Sequence, residues 1–224
     1  MKLRFSHQRN RALTLVEVLV VIAVTICLAV LFLTGLVDTK AKAQRINCVS
    51  NLKQIGIAFR LWEGDHGDKY PMSVSVTNGG AVELIAPGKA YILWQTVSNQ
   101  LISPRTLWCP ADLDHVAATN FSTGFSDANL SYFVNLDAAE MYPQMIIDGD
   151  DNLLVDGKRV QSGILNLWTN SSVAWTKDRH HGVGNIGMAD GSAQQTTSGG
   201  LNSAFGSCTN GVPTNNAAIR WLIP

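Results

Sequence analysis

The chain has 224 residues, of which 46% are hydrophobic and 15% are charged, so it is large enough to bury a core and to form one globular domain beside any anchor. Its formal net charge is zero, but Lys2, Arg4, Arg9 and Arg11 precede the first acidic residue and leave the rest of the chain mildly acidic. This distribution argues against a nucleic-acid partner, which requires clustered cations.

The first predicted element is a hydrophobic helix, Leu13–Leu36, in which Glu17 is the only charged residue. The stretch exceeds the roughly 20 residues that a helix needs to cross a membrane, and the basic residues before it predict a cytoplasmic N-terminus. A cleaved secretory signal is the alternative, but its apolar region is normally shorter and ends at a small-residue cleavage site. The carboxylate of Glu17 either reaches the interface or pairs with a positive charge, such as the new ammonium group of a chain cut before Leu13.

The string RA-LTLVEVLVVIAV resembles the N-terminal signal of type IV prepilins, with its basic leader, hydrophobic first mature residue and glutamate at mature position five. The resemblance implies that a prepilin peptidase cuts between Ala12 and Leu13 and that Leu13 is N-methylated. It also implies that Glu17 serves assembly. Ala12 stands where most such leaders end in glycine.

Three further strings, NCVSNLKQIGIAFRLW, WCPAD and RHHGVGNIGMADG, are similar to a pseudopilin subgroup with a C-terminal H-x9-DG element. That element falls here on His180, Asp190 and Gly191. The resemblance implies a structural subunit of a type II secretion-like or type IV pilus-like filament, and not an enzyme. The implied partners are the prepilin peptidase, sister pseudopilins that pack through the N-terminal helix, an inner-membrane assembly platform and the lipid bilayer. The implied location is a single-pass inner-membrane one, with a cytoplasmic N-terminus before cleavage and a periplasmic or cell-surface head.

The helix is predicted to continue to about Trp62, because no proline occurs before Pro71 and glycine is rare in this part of the chain. An apolar stripe recurs at spacings of four and three residues, at Cys48, Leu52, Ile55, Phe59 and Trp62. The predicted organisation is a leader at 1–12, a transmembrane and assembly helix at 13–36, and a head at 37–224 that includes the end of the helix.

Short strand-like runs follow the turn residues of GDHGDKYP: YILWQTV, TLW, SYFVNL, GILNLW, SVAWT, GNIGMA, SAQQTT and AIRWLI. A helix followed by strands predicts an α+β, pilin-like fold. In this fold a long N-terminal helix, membrane-spanning in its first half, packs on an antiparallel β-sheet head.

His180 and Asp190 suggest a catalytic pair, but no GxSxG motif places a serine beside them. Asp190 and Gly191 lie between two strand-like runs, which is typical of a two-residue hairpin turn. We therefore interpret the element as structural, with Asp190 capping the turn and His180 bonded to the neighbouring backbone. Metal or partner binding is the remaining alternative.

Asp148, Asp150 and Asn152 alternate along DGDDNLLVDG, as the oxygen ligands of a calcium loop do. Leu153 and Arg159 occupy the positions at which an EF-hand has glycine and glutamate. A solvated acidic turn is the plainer interpretation, calcium is the alternative, and no other cofactor is predicted.

The four cysteines show no metal-binding spacing, so a structural zinc site is not predicted. Cys27 is interpreted as an apolar residue of the hydrophobic helix. In an exported head, three disulfide pairings stay open among Cys48, Cys109 and Cys208. If one forms, we predict Cys48–Cys109, because Cys48 lies on the inward stripe and Cys109 follows the apolar TLW run.

The six tryptophans are interpreted as core residues, with carbohydrate stacking as the alternative. Two other functions stay open. A membrane-tethered extracytoplasmic enzyme or ligand-binding domain predicts a concave polar site with perturbed titratable groups. A minor pilin predicts a head that binds an adhesive partner.

Overall fold

The structure, a computed structural model, describes residues 14–210 and 218–224, and the side chains of all of these except 32–38, 209 and 210. The chain divides into two compact units, Met1–Lys40 and Ala41–Pro224. The predicted processing residues Ala12 and Leu13 lie outside the described residues.

The described part of the chain forms three α-helices and nine β-strands. The helices are α1 (Leu15–Gly64), α2 (Ala90–Thr96) and α3 (Ser198–Asn210). The strands are β1 (Tyr132–Asn135), β2 (Ile146–Asp150), β3 (Leu153–Val155), β4 (Lys158–Arg159), β5 (Gly163–Leu167), β6 (Val173–Trp175), β7 (Val183–Met188), β8 (Ala193–Thr197) and β9 (Ile219–Ile223).

The strands form a six-stranded sheet in the order β5-β9-β1-β2-β7-β8 and a three-stranded sheet in the order β4-β3-β6. Neighbouring strands in both sheets are antiparallel. The chain therefore has an α+β fold with an antiparallel sheet, as the order of helix and strand patterns predicts.

The six-stranded sheet separates two hydrophobic clusters, because alternate residues of a strand point to opposite faces. Tyr132 and Val134 of β1 belong to the cluster that contains the buried stripe of α1. Phe133, between them, belongs to the other cluster, with Leu201 and Phe205 of α3. The sheet thus lies between α1 and α3.

The predicted apolar stripe of α1 is confirmed, since its members are all at most 2% exposed: Cys48, Leu52, Ile55, Phe59 and Trp62. Residues off the stripe, such as Lys53 and Arg60, are exposed. Spacings of three and four residues place the apolar side chains on one face of the helix, which packs on the sheet.

The prediction that the first half of a long N-terminal helix spans a membrane is wrong. No helix in the described residues is both long and apolar enough to cross one. A crossing needs about 20 consecutive apolar residues. The predicted single-pass inner-membrane location, with its periplasmic or surface head, is wrong for the same reason.

Two local predictions also fail. YILWQTV, predicted as a strand, forms most of α2, in which Ala90, Leu93 and Trp94 are buried at helical spacing. A distant acceptor supports this helix, since the backbone N–H of Tyr91 donates to Asp127 Oδ1 at 2.7 Å. TLW falls largely in a 3₁₀ turn, Pro104–Leu107. The β-type composition of both runs is overridden by tertiary packing.

Helix α3 is absent from the predicted elements because Gly199 and Gly200 lie in its first turn and lower its helix propensity. Its buried residues, Leu201, Phe205 and Cys208, nevertheless recur at spacings of four and three. This spacing is the sequence signal for α3.

Candidate functional site

The first candidate site is the apolar segment of α1, Leu15–Leu31. Every residue of this segment is exposed, and the exposed fraction of its large apolar side chains ranges from 46% at Val18 to 79% at Leu15. The hydroxyl of Thr25 is satisfied within the helix by the carbonyl oxygen of Val21, at 2.9 Å. The segment thus presents apolar side chains on all sides, a surface that marks an interaction site.

Glu17 closes the N-terminus of α1. Its Oε2 atom accepts hydrogen bonds from the backbone N–H of Thr14 at 2.7 Å and from the Thr14 hydroxyl at 2.8 Å. The backbone N–H of Glu17 donates to Thr14 Oγ1 at 3.3 Å, which completes a capping box. These bonds, the backbone one most of all, lower the pKa of Glu17. The Thr-x-x-Glu spacing, which sequence reasoning missed, signals this helix start.

The second candidate site consists of four buried side chains, Cys48, Cys109, Asp150 and His180, called here the Cys–His–Asp cluster. One ligand-type atom of each lies within 4.8 Å of those of the other three. Nε2 of His180 is 3.4 Å from Sγ of Cys109 and 3.7 Å from Oδ2 of Asp150. Cys48 lies in α1, and Cys109 follows the Pro104–Leu107 turn. Asp150 is the last residue of β2, and His180 precedes β7.

Burial governs the ionisation of the cluster. It raises the pKa of Asp150 to about 7, although the charge of Arg179 opposes the rise. Burial and then the charge of Arg179 lower the pKa of His180 to about 4. A hydrogen bond with Cys48, together with burial, raises the pKa of Cys109. At neutral pH the imidazole is therefore uncharged and Cys109 carries its proton.

A network of charges adjoins the cluster. The guanidinium of Arg179, only 6% exposed, bonds Asp112 Oδ2 at 2.8 Å and Asp151 Oδ1 at 2.5 Å. His115 Nδ1 and the Ser131 hydroxyl also bond Asp112 Oδ2, at 2.7 and 2.6 Å. Burial raises the pKa of Asp112, but His115, Arg179 and Ser131 outweigh it and lower the pKa to about 2. A second group of side chains of the type that bind metals consists of Asp112, His115 and Asp151. The positive charge beside its two carboxylates is the guanidinium of Arg179.

The predicted Asp-Gly hairpin joins β7 to β8, but through a three-residue loop that ends at Gly191 rather than a two-residue turn. Gly191 has φ +82°, the left-handed region that this kind of loop requires. Asp190 Oδ1 accepts from the backbone N–H of Ser192 at 2.8 Å, the kind of bond that a capping side chain makes within a turn. A Cβ atom at Gly56 would lie 3.3 Å from Gly191 Cα, so α1 packs directly on the loop.

His180 is not part of this loop. It precedes β7, whereas Asp190 and Gly191 follow the same strand, and its imidazole lies in the Cys–His–Asp cluster. The structure therefore separates the two ends of the H-x9-DG element. One end holds the hairpin loop against α1, and the other contributes to the cluster.

The three predicted calcium residues are buried rather than placed on a solvated turn. Asp148 and Asp150 lie in β2, and Asn152 follows it. Burial and the charge of Asp150 raise the pKa of Asp148 well above its usual value. Asp150 belongs to the Cys–His–Asp cluster, which also contains sulfur and nitrogen ligands. Calcium binding at the three residues stays a prediction.

The cysteines of the predicted disulfide, Cys48 and Cys109, are free and adjacent. Their oxidation stays a prediction. Cys208 lies in α3, where its Sγ accepts from the backbone N–H of Ile146 at 3.1 Å. Cys27 is exposed in the apolar segment.

Sequence reasoning missed the roles of Asp112 and Arg179 and the link between Cys109 and His180. The available signal was the concentration of charged, histidine and cysteine residues in two short strings, WCPAD and RHH. Comparison of the chain with protein-family models, curated proteins and solved structures gives no match.

Proposed function

We propose that this protein is a pilin-like structural subunit, processed by a prepilin peptidase, that assembles with copies of itself into a filament. The observation that carries the proposal is the exposed apolar segment, Leu15–Leu31, whose apolar side chains surround the helix and include a single charged residue, Glu17. Leaving such a surface in water is unfavourable by roughly 25 cal/mol per Å² of apolar area.

Other copies of the chain suit this surface. Each copy carries an identical all-round apolar helix, so several copies packed together cover every face, whereas a single groove covers only one. Glu17 is the exception that such packing must neutralise. A cut before Leu13 places a new ammonium group beside it, in the same copy or in a neighbouring one.

The start of α1 supports the proposed processing site. Thr14 caps the helix through Glu17, and residues 1–12 precede this cap. Removal of those residues therefore leaves the capping box intact. We expect the intact mass of the full chain, expressed with an active prepilin peptidase, to correspond to a start at Leu13 with one added methyl group. A chain that still begins at Met1, or that is cut beyond the apolar segment, would overturn this part of the proposal.

Assembly is tested by placing a charge on the apolar segment. Leu19 is 61% exposed, and Leu19→Asp would bury a carboxylate at each helix contact. We expect the processed variant to pellet as filaments at least about tenfold less than the wild type, which corresponds to about 1.4 kcal/mol per contact. Ultracentrifugation and electron microscopy measure the effect.

Ile102→Asp is the matched control, because Ile102 is 97% exposed and lies in the other unit, outside the proposed interface. It should assemble like the wild type. Both variants should keep the melting temperature and near-ultraviolet circular dichroism of the wild type. Undiminished assembly of Leu19→Asp, or an equal loss in both variants, would refute assembly through the apolar segment.

A further inference from the structure

The Cys–His–Asp cluster has the dimensions of a metal site. Zinc binds sulfur at about 2.3 Å and nitrogen or oxygen at about 2.0–2.2 Å, so tetrahedral coordination sets ligand-to-ligand separations of about 3.4–3.8 Å. His180 Nε2 lies 3.4 Å from Cys109 Sγ and 3.7 Å from Asp150 Oδ2, and both separations fall within this range. All four ligand-type atoms lie within 4.8 Å of one another.

We propose that Cys48, Cys109, Asp150 and His180 bind one Zn²⁺ ion in a tetrahedral structural site. Two thiolates and one imidazole are ligands that zinc prefers, whereas calcium and magnesium prefer oxygen alone. Binding displaces the protons of the two thiols to solvent and leaves four protein ligands around the ion. No coordination position stays open, so the site holds the fold together rather than activating a water molecule.

The surroundings of the cluster fit an ion of this charge. Two thiolates and a carboxylate carry three negative charges, and Zn²⁺ leaves one of them uncompensated. Arg45 and Arg179 both lie close enough to Asp150 to interact with its charge. Asp150 Oδ2, the oxygen nearest His180, accepts from the backbone N–H and the Nδ2 of Asn185, both at 2.8 Å. Asp150 Oδ1 is buried and has no hydrogen-bond partner among the described residues. Burying a polar oxygen in this way is unfavourable unless something satisfies it.

A cavity lies beside the cluster. A cavity of about 310 Å³ is bounded by His180 and by residues that include Gln44, Pro110 and Lys177. Only His180 among the four ligands borders it, and the side chain of His180 is 1% exposed. The four ligand side chains are therefore enclosed by the fold, as expected for a structural ion rather than one that exchanges with solvent.

The proposed ion connects parts of the chain that are remote in sequence. Cys48 lies in α1, and the other three ligands come from the segments around the sheet. The site would therefore anchor α1 to the sheet, as the predicted Cys48–Cys109 disulfide would. The two states exclude each other, because cysteines joined in a disulfide no longer supply two thiolates.

The test uses the full chain purified without chelator, with zinc measured by mass spectrometry of the elements. We expect about one zinc ion per chain. Cys109→Ser and His180→Gln should each lower this content at least about tenfold. Cys208→Ser and His181→Gln are matched controls, since Cys208 is buried in α3 and His181 adjoins His180 outside the cluster. Both controls should keep the wild-type zinc content.

A measurement on the unmutated chain keeps the proposal testable if a variant fails to fold. The chelator-treated chain, titrated with Co²⁺, should develop the visible absorption of tetrahedral cobalt and the charge-transfer absorption of cobalt–thiolate bonds. Three results would overturn the proposal: a wild-type chain that binds neither Zn²⁺ nor Co²⁺, controls that lose zinc as fully as the ligand variants, and peptide mapping that finds Cys48 joined to Cys109.

Discussion

Replacing Arg179 with methionine is expected to lower the free energy of unfolding by about 3–5 kcal/mol, the usual cost of removing one partner from a buried ion pair. Arg179 is 6% exposed and bonds two carboxylates, those of Asp112 and Asp151, which are at most 7% exposed. Its Nη1 atom also donates to the carbonyl oxygen of Ser131 at 3.2 Å. Methionine fills a similar volume but leaves both carboxylates without their cation.

Urea denaturation in the presence of EDTA measures this difference without a contribution from bound metal. Lys177→Met is the control, because Lys177 is an exposed base two residues from Arg179, and its change should stay within about 0.5 kcal/mol. A loss below about 1 kcal/mol for Arg179→Met would show that the two carboxylates do not depend on the guanidinium.

The pH dependence provides a second measure of the same ion pair. The pKa of Asp112 in the folded chain, about 2, lies below its usual value of 3.8. Its contribution to stability is therefore complete above pH 3.8 and is lost as the pH falls towards 2. The shift corresponds to about 2 kcal/mol in all, to which the hydrogen bond with His115 contributes most and the charge of Arg179 next. The deficit of Arg179→Met should accordingly become smaller at about pH 3 than at neutral pH, whereas a deficit caused by packing alone would stay constant.

Residue spacing and local composition were enough to predict the elements whose formation depends mainly on neighbouring residues. The three-and-four spacing from Cys48 to Trp62 predicted which face of α1 is buried. The runs that became β1, β5, β6, β7, β8 and β9 were recognisable from β-type composition between turn residues. Helix α2 could not be predicted in this way, because the residues that pack on it are distant in the chain, as is Asp127, which accepts a hydrogen bond from its first turn.

The Cys–His–Asp cluster could not be predicted from local sequence either, because its members are far apart in the chain. Cys109 and His180 are 71 positions apart in the chain, and their atoms meet at 3.4 Å only through the sheet. Cys109 is bonded to Ser131, which precedes β1, His180 precedes β7, and β1 and β7 lie on either side of β2. No spacing rule for metal ligands covers such a separation. The position of Asp190 in a hairpin loop could be predicted from the sequence, because such a loop is a local structure and the capping hydrogen bond spans only two residues.

The tryptophans provide the last test, which decides between core packing and carbohydrate stacking. Trp221 is fully buried, stacks on Phe133 with ring centroids 4.1 Å apart and meets the ring of Phe205 edge-on at 5.7 Å. The three aromatic residues lie in β1, β9 and α3. Truncating the Trp221 side chain would therefore leave a cavity between strands and a helix, which cannot easily move together to fill it. We expect Trp221→Ala to lower the free energy of unfolding by about 3–5 kcal/mol.

Trp168→Ala is the matched control, because Trp168 is 54% exposed, and we expect it to cost less than about 1 kcal/mol. Urea denaturation measures both variants, and an oligosaccharide array with the wild-type chain measures the alternative. Equal losses for the two variants would contradict the assignment of Trp221 to the core, because the effect would not follow burial. Sugar binding that disappears in Trp168→Ala at unchanged stability would instead identify Trp168 as a stacking residue, since an exposed indole supplies binding area without supporting the fold.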